Sequence, residues 1–418
     1  MTSHLVSRRL ASGLFRQSRR LSHPGKMVRQ QRLFSAAPLT QLSEDEQMLK
    51  DAVARYSKDK IAPRTREFER NEMVPMDLIQ ELFDQGWMSV RSPLEYGGPG
   101  GSLFNATLVI EELGKHDPGI SGMLDVQNTL VLGIALDYFN EEQKKKYLTK
   151  LSTSTVGCFC LSEQGSGSDA FAMQTRAVRD GNDYVINGTK LWITNADIAG
   201  LMFVMANAAP DQGYKGITCF IVDASTPGVT VSQREKKLGQ HAAANCPVIF
   251  EDVRVPASNV IGGIGLGYKI AASMLNEGRI GIGAQMLGAS QGVMDYVVPY
   301  TMERKQFGKR LFDFQAMQHQ IAEACTKIEA ARLLVYNAAR LKDSNKPYAK
   351  EAAIAKYYST ELAVQVGLSG IKWLGALGYM KDAPVEKLLR DSIPGVIYEG
   401  TSNIMLNTIA KFVQDEYK

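Results

Sequence analysis

The chain changes character at Cys160-Leu161-Ser162-Glu163-Gln164-Gly165-Ser166-Gly167-Ser168-Asp169. This stretch follows an apolar run and is dense in hydroxyls and glycines. Such a composition predicts a loop whose backbone N–H groups lie close to an electron-rich ligand, because glycine has no side chain to block the approach. Taken alone, the stretch is better explained as an ordinary turn. The surrounding sequence is needed to decide its setting.

On both sides of this loop, residues 156–265 show strand signals. Asp183–Gly188 alternates apolar and polar residues and then turns, and three further short β-rich runs are separated by Gly, Pro, Asn and Asp. Cys158 and Cys160 are two residues apart, which would place both on one buried face of a strand. Residues 156–265 are therefore predicted to form a compact β domain.

The segments that flank the β domain have helical periodicity. In residues 44–155, Ser43 precedes Glu44-Asp45-Glu46, an acidic first turn that suits the positive end of a helix. Residues 268–418 contain four long Ala- and Leu-rich segments, around 268–301, 315–343, 347–376 and 382–412, which predict a helical bundle. The glycine-rich run 262–267 is predicted to join the β domain to this bundle.

Residues 1–43 differ in composition from the rest of the chain. They contain seven arginines and Lys26, many serines, and no Asp or Glu. This composition predicts a mitochondrial transit peptide, with cleavage after Phe34 (residues 1–34) and localisation in the matrix. A basic nucleic-acid-binding arm is the alternative, but the interleaved apolar residues favour the transit peptide.

The remaining composition excludes several classes of function. Without residues 1–43 the chain has 40 basic and 44 acidic residues, a net charge of −4, which predicts no nucleic-acid binding. No apolar run approaches the ~20 residues that span a bilayer, so no membrane segment is expected. Five cysteines without a CxxC pair indicate a reducing compartment, and scattered histidines predict no metal site. Motifs of serine hydrolases, P-loop enzymes and Rossmann dehydrogenases are missing.

A single carboxylate, Glu399, lies in the apolar stretch Val396-Ile397-Tyr398-Glu399-Gly400-Thr401-Ser402-Asn403. Removing a carboxylate with few polar neighbours from water raises its pKa. A raised pKa strengthens a base that must remove a weakly acidic C–H proton. The stretch therefore predicts a catalytic base. The alternative is a glutamate at a helix terminus that is capped by the three following polar residues.

Together these motifs resemble the acyl-CoA dehydrogenase family of flavoenzymes, over residues 44–418. The loop Cys160–Ala172 matches the first signature of the family at every defined position. Further matches follow in family order and at family spacing: Trp192–Thr194, Asn276–Arg279, Arg304–Gly308, Phe314-Gln315 and the octamer around Glu399. Within the family, the likeness is strongest to the branch that acts on short, 2-methyl-branched acyl-CoAs.

The resemblance implies a fold, a reaction and partners. The implied fold is an N-terminal helical domain, a middle β-barrel-like domain and a C-terminal four-helix bundle. In the implied reaction Glu399 removes the α-proton of the acyl-CoA while the β-hydride passes to FAD, which yields a trans-2-enoyl-CoA in branched-chain amino-acid and fatty-acid catabolism. An electron-transferring flavoprotein as acceptor and a homotetramer are implied as well.

The resemblance also implies roles for individual positions. Cofactor contacts are implied for Phe159, Cys160, Leu161, Ser162, Glu163, Gln164, Gly165, Ser166, Gly167, Ser168, Trp192, Ile193, Thr194, Thr401, Ser402 and Asn403. Contacts with the FAD of a neighbouring subunit are implied for Arg304, Gln315, Lys372, Trp373, Leu374, Gly375 and Ala376. Contacts with acyl-CoA are implied for Ser168, Tyr214, Tyr268, Asn276, Glu277, Gly278, Arg279 and Gly400.

Three positions depart from or discriminate within the family pattern. Some branches carry the base immediately before the helix arginine, but here that position is Gly278. Glu277 is one residue away, about 100° around a helix, so Glu399 is the only base in family register. Lys372 replaces an acidic or amide residue and Ala376 replaces a glycine, and both changes are expected to affect FAD affinity.

Alternative functions are a butyryl-CoA or isobutyryl-CoA dehydrogenase, an acyl-CoA oxidase, and a catalytically weak scaffold for respiratory assembly. Oxidases are longer and usually peroxisomal, whereas this sequence ends Asp-Glu-Tyr-Lys without a Ser-Lys-Leu-type address. The complete flavin loop and Glu399 disfavour the scaffold.

Overall fold

Helices, a β-sheet and a second set of helices follow one another along the chain in the computed structural model, which describes residues 38–418. The predicted helical, β, helical order is confirmed. The predicted transit peptide, residues 1–34, lies outside the described residues.

The N-terminal segment packs its helices around an apolar core that includes Phe68, Leu82 and Met88. Its first helix begins after Ser43, whose hydroxyl accepts from the Glu46 N–H while the Glu46 carboxylate accepts from the Ser43 N–H, as the acidic first turn predicts. The helices are α1 Glu44–Tyr56, α2 Thr65–Asn71, α3 Met76–Asp84, α4 Leu103–Gly114, α5 Pro118–Asp125, α6 Leu132–Tyr138, α7 Glu141–Gln143 and α8 Thr149–Thr153.

One helical stretch of the described residues is long and apolar enough to cross a membrane. It comprises α5, the π-helical turn Val126–Val131 and α6, and 94% of its most apolar window is buried inside the protein. The stretch is not an uninterrupted apolar run, because polar residues such as Gln127 and Asn128 lie within it, and both are buried. The stretch is a core helix.

The β segment forms one sheet with the strand order β6-β7-β3-β2-β4-β5-β8, and β1 pairs with β4. The strands are β1 Gly157–Cys160, β2 Arg176–Asp180, β3 Asp183–Thr194, β4 Leu201–Asn207, β5 Ile217–Asp223, β6 Val229–Val231, β7 Asn245–Pro256 and β8 Val260–Ile261. Cys158 and Cys160 are both buried on β1, as their spacing predicts. The glycine-rich run then connects β8 to the next helix, as predicted.

The C-terminal segment contains three long helices, α9 Gly267–Glu303, α10 Gln315–Asp343 and α11 Ala349–Leu374, with the small hairpin β9 Lys305–Gln306 and β10 Lys309–Arg310 between the first two. Where a fourth long helix over 382–412 was expected, the structure has α13 Val385–Ser392 and α14 Ser402–Glu416, preceded by the short α12 Ala376–Tyr379. The α-helix ends at Ser392 and is followed by the 3₁₀ turn Ile393–Val396, which contains Pro394. Glu399 and Gly400 then adopt left-handed conformations, with φ of 51° and 100°, before α14 begins. This break carries the predicted base.

Candidate active site

Glu399 lies in the left-handed turn between a 3₁₀ turn, Ile393–Val396, and α14. Left-handed backbone costs a residue with a side chain roughly 1–2 kcal/mol, so packing must hold it in place. The hydroxyl of Thr401 caps α14 by accepting from the Ile404 N–H at 3.3 Å. Glu399 is thus not the helix cap itself, and the capping role belongs to Thr401.

The Glu399 carboxylate packs against α9 at Gly278. A Cβ atom placed on Gly278 would stand 2.0 Å from Oε2 of Glu399. Although part of the residue is exposed, Oε2 is buried and has no hydrogen-bond partner among the described residues. Any side chain at residue 278 would therefore occupy the volume that the Glu399 carboxylate fills. This explains in physical terms why a side chain at residue 278 is incompatible with a base at residue 399.

The electrostatic setting of Glu399 combines burial with two cations. Burial raises the pKa of Glu399 to about 7, while the positive charges of Arg279 and Lys356 oppose the rise. Nε of Arg279 donates to the Glu399 carbonyl at 3.4 Å, and Nζ of Lys356 donates to the Gly400 carbonyl at 2.7 Å. A base with a pKa near neutrality is suited to accept a proton and to release it again.

Asp125, a second buried carboxyl, faces the same side of α9. A Cβ atom on Gly281 would lie 1.8 Å from Oδ1 of Asp125, and Gly281 is one helical turn beyond Gly278. Burial raises the pKa of Asp125 well above its usual range, the Glu399 charge raises it further, and the Thr129 hydroxyl, which donates to Oδ1 at 3.0 Å, opposes the rise. Asp125 is distant from Glu399 in sequence, so the tertiary structure adds a second carboxyl to the surroundings of the candidate base.

Replacing Lys356 by Met should raise the pH at which activity appears. Lys356 favours the ionised form of Glu399, so its loss raises the pKa of the base and moves the acidic limb of kcat/KM upward by roughly one pH unit. The measurement is kcat/KM from pH 5.5 to 9. Lys356→Arg keeps the positive charge and should keep the limb near that of the wild type. A limb that stays in place in the Met variant contradicts the coupling.

Glu163, a residue of the hydroxyl-rich loop after β1, stabilises that loop through hydrogen bonds to its carboxylate. Its carboxylate accepts from the Gln174 N–H at 2.7 Å, the Thr175 hydroxyl at 2.6 Å and Nζ of Lys190 at 2.8 Å. Lys190 itself is fully buried on β3, so this ion pair ties the loop to the sheet. Cβ atoms placed on Gly165 and Gly167 would meet nothing within 4 Å, which leaves the backbone of the loop open to a ligand.

Trp192 lies near the end of β3 and is 52% exposed. At this exposure it is not a core tryptophan. Its φ of 58° is left-handed, in a bulge where the β3–β7 register shifts between Lys190 and Ile193. An exposed indole on a strained bulge beside an open glycine loop fits a planar ring such as that of a flavin. Residues Trp192–Thr194 and the loop Phe159–Ser168 thus suit the cofactor that the sequence implies.

The predicted acyl-CoA residues fall into two clusters. Tyr214 and Tyr268 contact each other, with ring centroids 4.9 Å apart, although one follows β4 and the other begins α9. Arg279 connects the second cluster, because its guanidinium donates to Asn276 at 2.8 Å and to the Glu399 carbonyl. The Glu277 side chain is directed elsewhere, into buried ion pairs with Arg91 and Lys342. Only its backbone is left for a substrate contact.

The residues that were predicted to reach a neighbouring cofactor form a separate group on the C-terminal helices. Arg304 and Gln315 are exposed, next to the hairpin whose tip carries Phe307, 94% exposed. At the end of α11, Trp373 is buried and its indole N–H donates to Gln320 at 2.9 Å, while Lys372 is exposed. The remaining members of the 372–376 segment divide in the same way: Leu374 is buried, and Gly375 and Ala376 are exposed.

Sequence reasoning missed Asp125 and Lys356. Both are ionisable residues within otherwise apolar or Ala-rich helical segments, and that mismatch was the available signal. Between residues 38 and 418, no group of three or more His, Cys, Asp and Glu side chains could hold a metal ion.

Comparison with known proteins agrees with this geometry. Three family models match consecutive parts of the chain: the acyl-CoA dehydrogenase N-terminal domain over residues 43–155, the middle domain over 158–253 and the C-terminal domain over 265–414. The short/branched chain specific acyl-CoA dehydrogenase, mitochondrial, of Bos taurus is 51% identical over 381 residues, which cover 91% of this chain and 88% of that protein.

Two solved structures are similar along most of the chain. A chain of the structure described as the electron transferring flavoprotein of Acidaminococcus fermentans superposes with a TM-score of 0.88 at 38% identity, covering 90% of this chain and 99% of that one. A glutaryl-CoA dehydrogenase from Mycobacterium smegmatis in complex with FADH2 superposes with a TM-score of 0.85 at 28% identity, covering 90% and 95%. The chain belongs to the acyl-CoA dehydrogenase family and is an oxidoreductase that uses FAD.

Proposed function

We propose that this enzyme dehydrogenates short, 2-methyl-branched acyl-CoA thioesters to trans-2-enoyl-CoA in the mitochondrial matrix, with Glu399 as the base. The observation that carries this proposal is the buried Oε2 of Glu399, which packs over Gly278 and has no hydrogen-bond partner within residues 38–418. An unpartnered carboxylate oxygen is costly to bury. The bound substrate would provide the partner of that oxygen, because the substrate's α-carbon carries the proton that the carboxylate removes.

Different residues of the chain orient the base and bind the thioester carbonyl. Arg279 and Lys356 hold the turn by donating to the backbone carbonyls of Glu399 and Gly400, so that the carboxylate is already oriented before substrate binds. The Glu399 N–H has no hydrogen bond to the described residues and is available to the thioester carbonyl, where negative charge develops as the proton leaves. Trp192–Thr194 would hold the flavin of FAD, which would supply the acceptor for the β-hydride.

Substrate identity is supported by the relatives, since the Bos taurus protein carries the short/branched chain specific name. The test is a series of kcat/KM values for butyryl-, isobutyryl-, 2-methylbutyryl-, isovaleryl- and hexanoyl-CoA. We expect 2-methylbutyryl-CoA to be preferred by about 10-fold or more, because one methylene changes transition-state binding by ~1–3 kcal/mol. A maximum at butyryl- or isobutyryl-CoA would replace this substrate with one of the alternatives.

Assembly and electron transfer belong to the same proposal. Exposed apolar side chains such as Phe307 and Tyr379, the latter 81% exposed, lie near the C-terminal residues that are predicted to reach a neighbour's FAD. They support a homotetramer in which Arg304, Gln315 and Lys372 make that contact. The similarity to a chain described with an electron transferring flavoprotein supports such a protein as acceptor. The mitochondrial relative supports matrix localisation. The test of the scaffold alternative is the visible spectrum of the flavin: bleaching of the yellow protein by acyl-CoA in the absence of oxygen would exclude a scaffold without activity.

A further inference from the structure

Asn245 connects the candidate flavin-binding strand to a half-buried lysine, Lys237. Across the β3–β7 pair, its Nδ2 donates to the Thr194 hydroxyl oxygen at 2.9 Å and to the Trp192 carbonyl at 3.2 Å. On its other side, its Oδ1 accepts from Nζ of Lys237 at 2.7 Å. The side chain therefore contacts two of the residues predicted to line the flavin ring.

Lys237 determines which way the Asn245 amide points. An ammonium group can only donate, so the oxygen of the amide must face Lys237 and its NH₂ group must face Thr194. Lys237 is itself held in place, because Nζ also donates to the Gln240 carbonyl at 3.0 Å and to the Ala243 carbonyl. Its three protons thus have three acceptors, and neither the lysine nor the amide can reorient without losing a hydrogen bond.

This arrangement determines the direction of the Thr194 proton. A hydroxyl group has one proton and can also accept hydrogen bonds. Because the Thr194 oxygen accepts from Asn245, its own proton remains to be donated elsewhere. Among the described residues, the Thr194 hydroxyl donates to no acceptor. The proton is thus left for a group that the protein itself does not supply.

We propose that Asn245 and Lys237 are positioning residues that orient the Thr194 hydroxyl as a hydrogen-bond donor to the flavin ring and hold the left-handed Trp192 beside it. This inference rests on the proposed function for the place of the cofactor. The two residues act through Thr194 and Trp192 and need not touch FAD. A neutral amide between a fixed cation and a hydroxyl is suited to this task, since only its oriented NH₂ group can supply the hydrogen that Thr194 accepts.

Asn245→Asp tests the orientation with little change in shape. The aspartate still accepts from Lys237, but it cannot donate, so the Thr194 proton turns towards the new carboxylate and away from the flavin. We expect the visible spectrum and the reduction potential of bound FAD to shift without substrate, and flavin reduction by substrate to slow by about 10-fold, the worth of one hydrogen bond. The FAD content of the purified protein should remain that of the wild type.

A double-mutant cycle with Thr194→Val separates this effect from a general disturbance. If Asn245 acts through the hydroxyl, adding Asn245→Asp to Thr194→Val causes no further spectral shift or rate loss. Asn182→Asp, in the exposed β2–β3 turn, introduces the same charge change in the same domain and should behave as the wild type. Additive effects in the cycle, or a wild-type spectrum in Asn245→Asp, overturn the proposal.

A second variant tests the proposal if Asn245→Asp loses FAD and its flavin spectrum cannot be measured. Lys237→Met removes the group that orients the amide, so the amide can flip and the spectrum should shift in the same direction with a smaller loss of rate. A wild-type spectrum and rate in this variant overturn the proposal as well. Failure of the proposed function is distinguishable, because it would appear in the wild-type protein as an absence of bleaching by any acyl-CoA of the series.

Discussion

Glu399→Gln should lower the rate at which substrate bleaches the flavin by about 10²–10⁴-fold, the usual contribution of a positioned general base. The amide matches the carboxylate in shape, so it fits over Gly278, but it cannot accept the α-proton. FAD content and acyl-CoA binding should be retained. The measurement is anaerobic stopped-flow reduction with 2-methylbutyryl-CoA, together with the ratio of flavin to protein and the spectral change on binding.

Two comparisons make this result specific. Glu251→Gln makes the same chemical change at an exposed strand residue and should leave the rate unaltered. Glu399→Gln should also be no less heat-stable than the wild type, because the ionised Glu399 carboxylate is disfavoured by burial and its replacement by a neutral amide removes that cost. Bleaching at near the wild-type rate would show that another group removes the proton, and the assignment of Glu399 would be wrong.

Gly278→Ala should cost about 10²-fold in kcat, through displacement of the base, because a shift of about 1 Å in a reacting group can reduce the rate by that factor. The added methyl group would stand 2.0 Å from Oε2 of Glu399, far inside van der Waals contact. The carboxylate must therefore move. FAD binding should persist, because the contact involves no predicted flavin residue. The measurements are kcat with 2-methylbutyryl-CoA and the flavin content.

Gly283→Ala is the matched control on the same helix. Its added Cβ would stand 3.0 Å from a methyl group of Val335 and 3.6 Å from the Ala355 backbone, and no carboxylate is among these neighbours. Both substitutions raise helix propensity by up to ~1 kcal/mol, so a loss confined to residue 278 cannot be attributed to the helix itself. Equal kcat values for the wild type and Gly278→Ala would show that the carboxylate has room to spare and that the packing argument is wrong.

Much of the fold follows from local patterns in the chain. The change from helical spacing to alternation and back predicted the helical, β, helical order, because each pattern reports which face of a segment is buried. The strands around Tyr184, Phe203 and Phe220 and the capped first helix after Ser43 were found where these patterns placed them. The residues of the motif around Glu399 and of the loop after Cys160 are also compatible with ordinary turns, and the resemblance to the family singled them out as candidate site residues.

The sequence by itself thus determined the class of fold and the identity of the candidate base, because both depend on residues that are neighbours along the chain. Only the tertiary structure decided what surrounds that base. It divided the expected fourth helix into two, with Glu399 in the turn between them, and packed the Glu399 carboxylate against Gly278. It also placed Asp125 and Lys356 near that carboxylate. Burial and charge act through space between distant segments, so the pKa of Glu399 emerges only when those segments pack together.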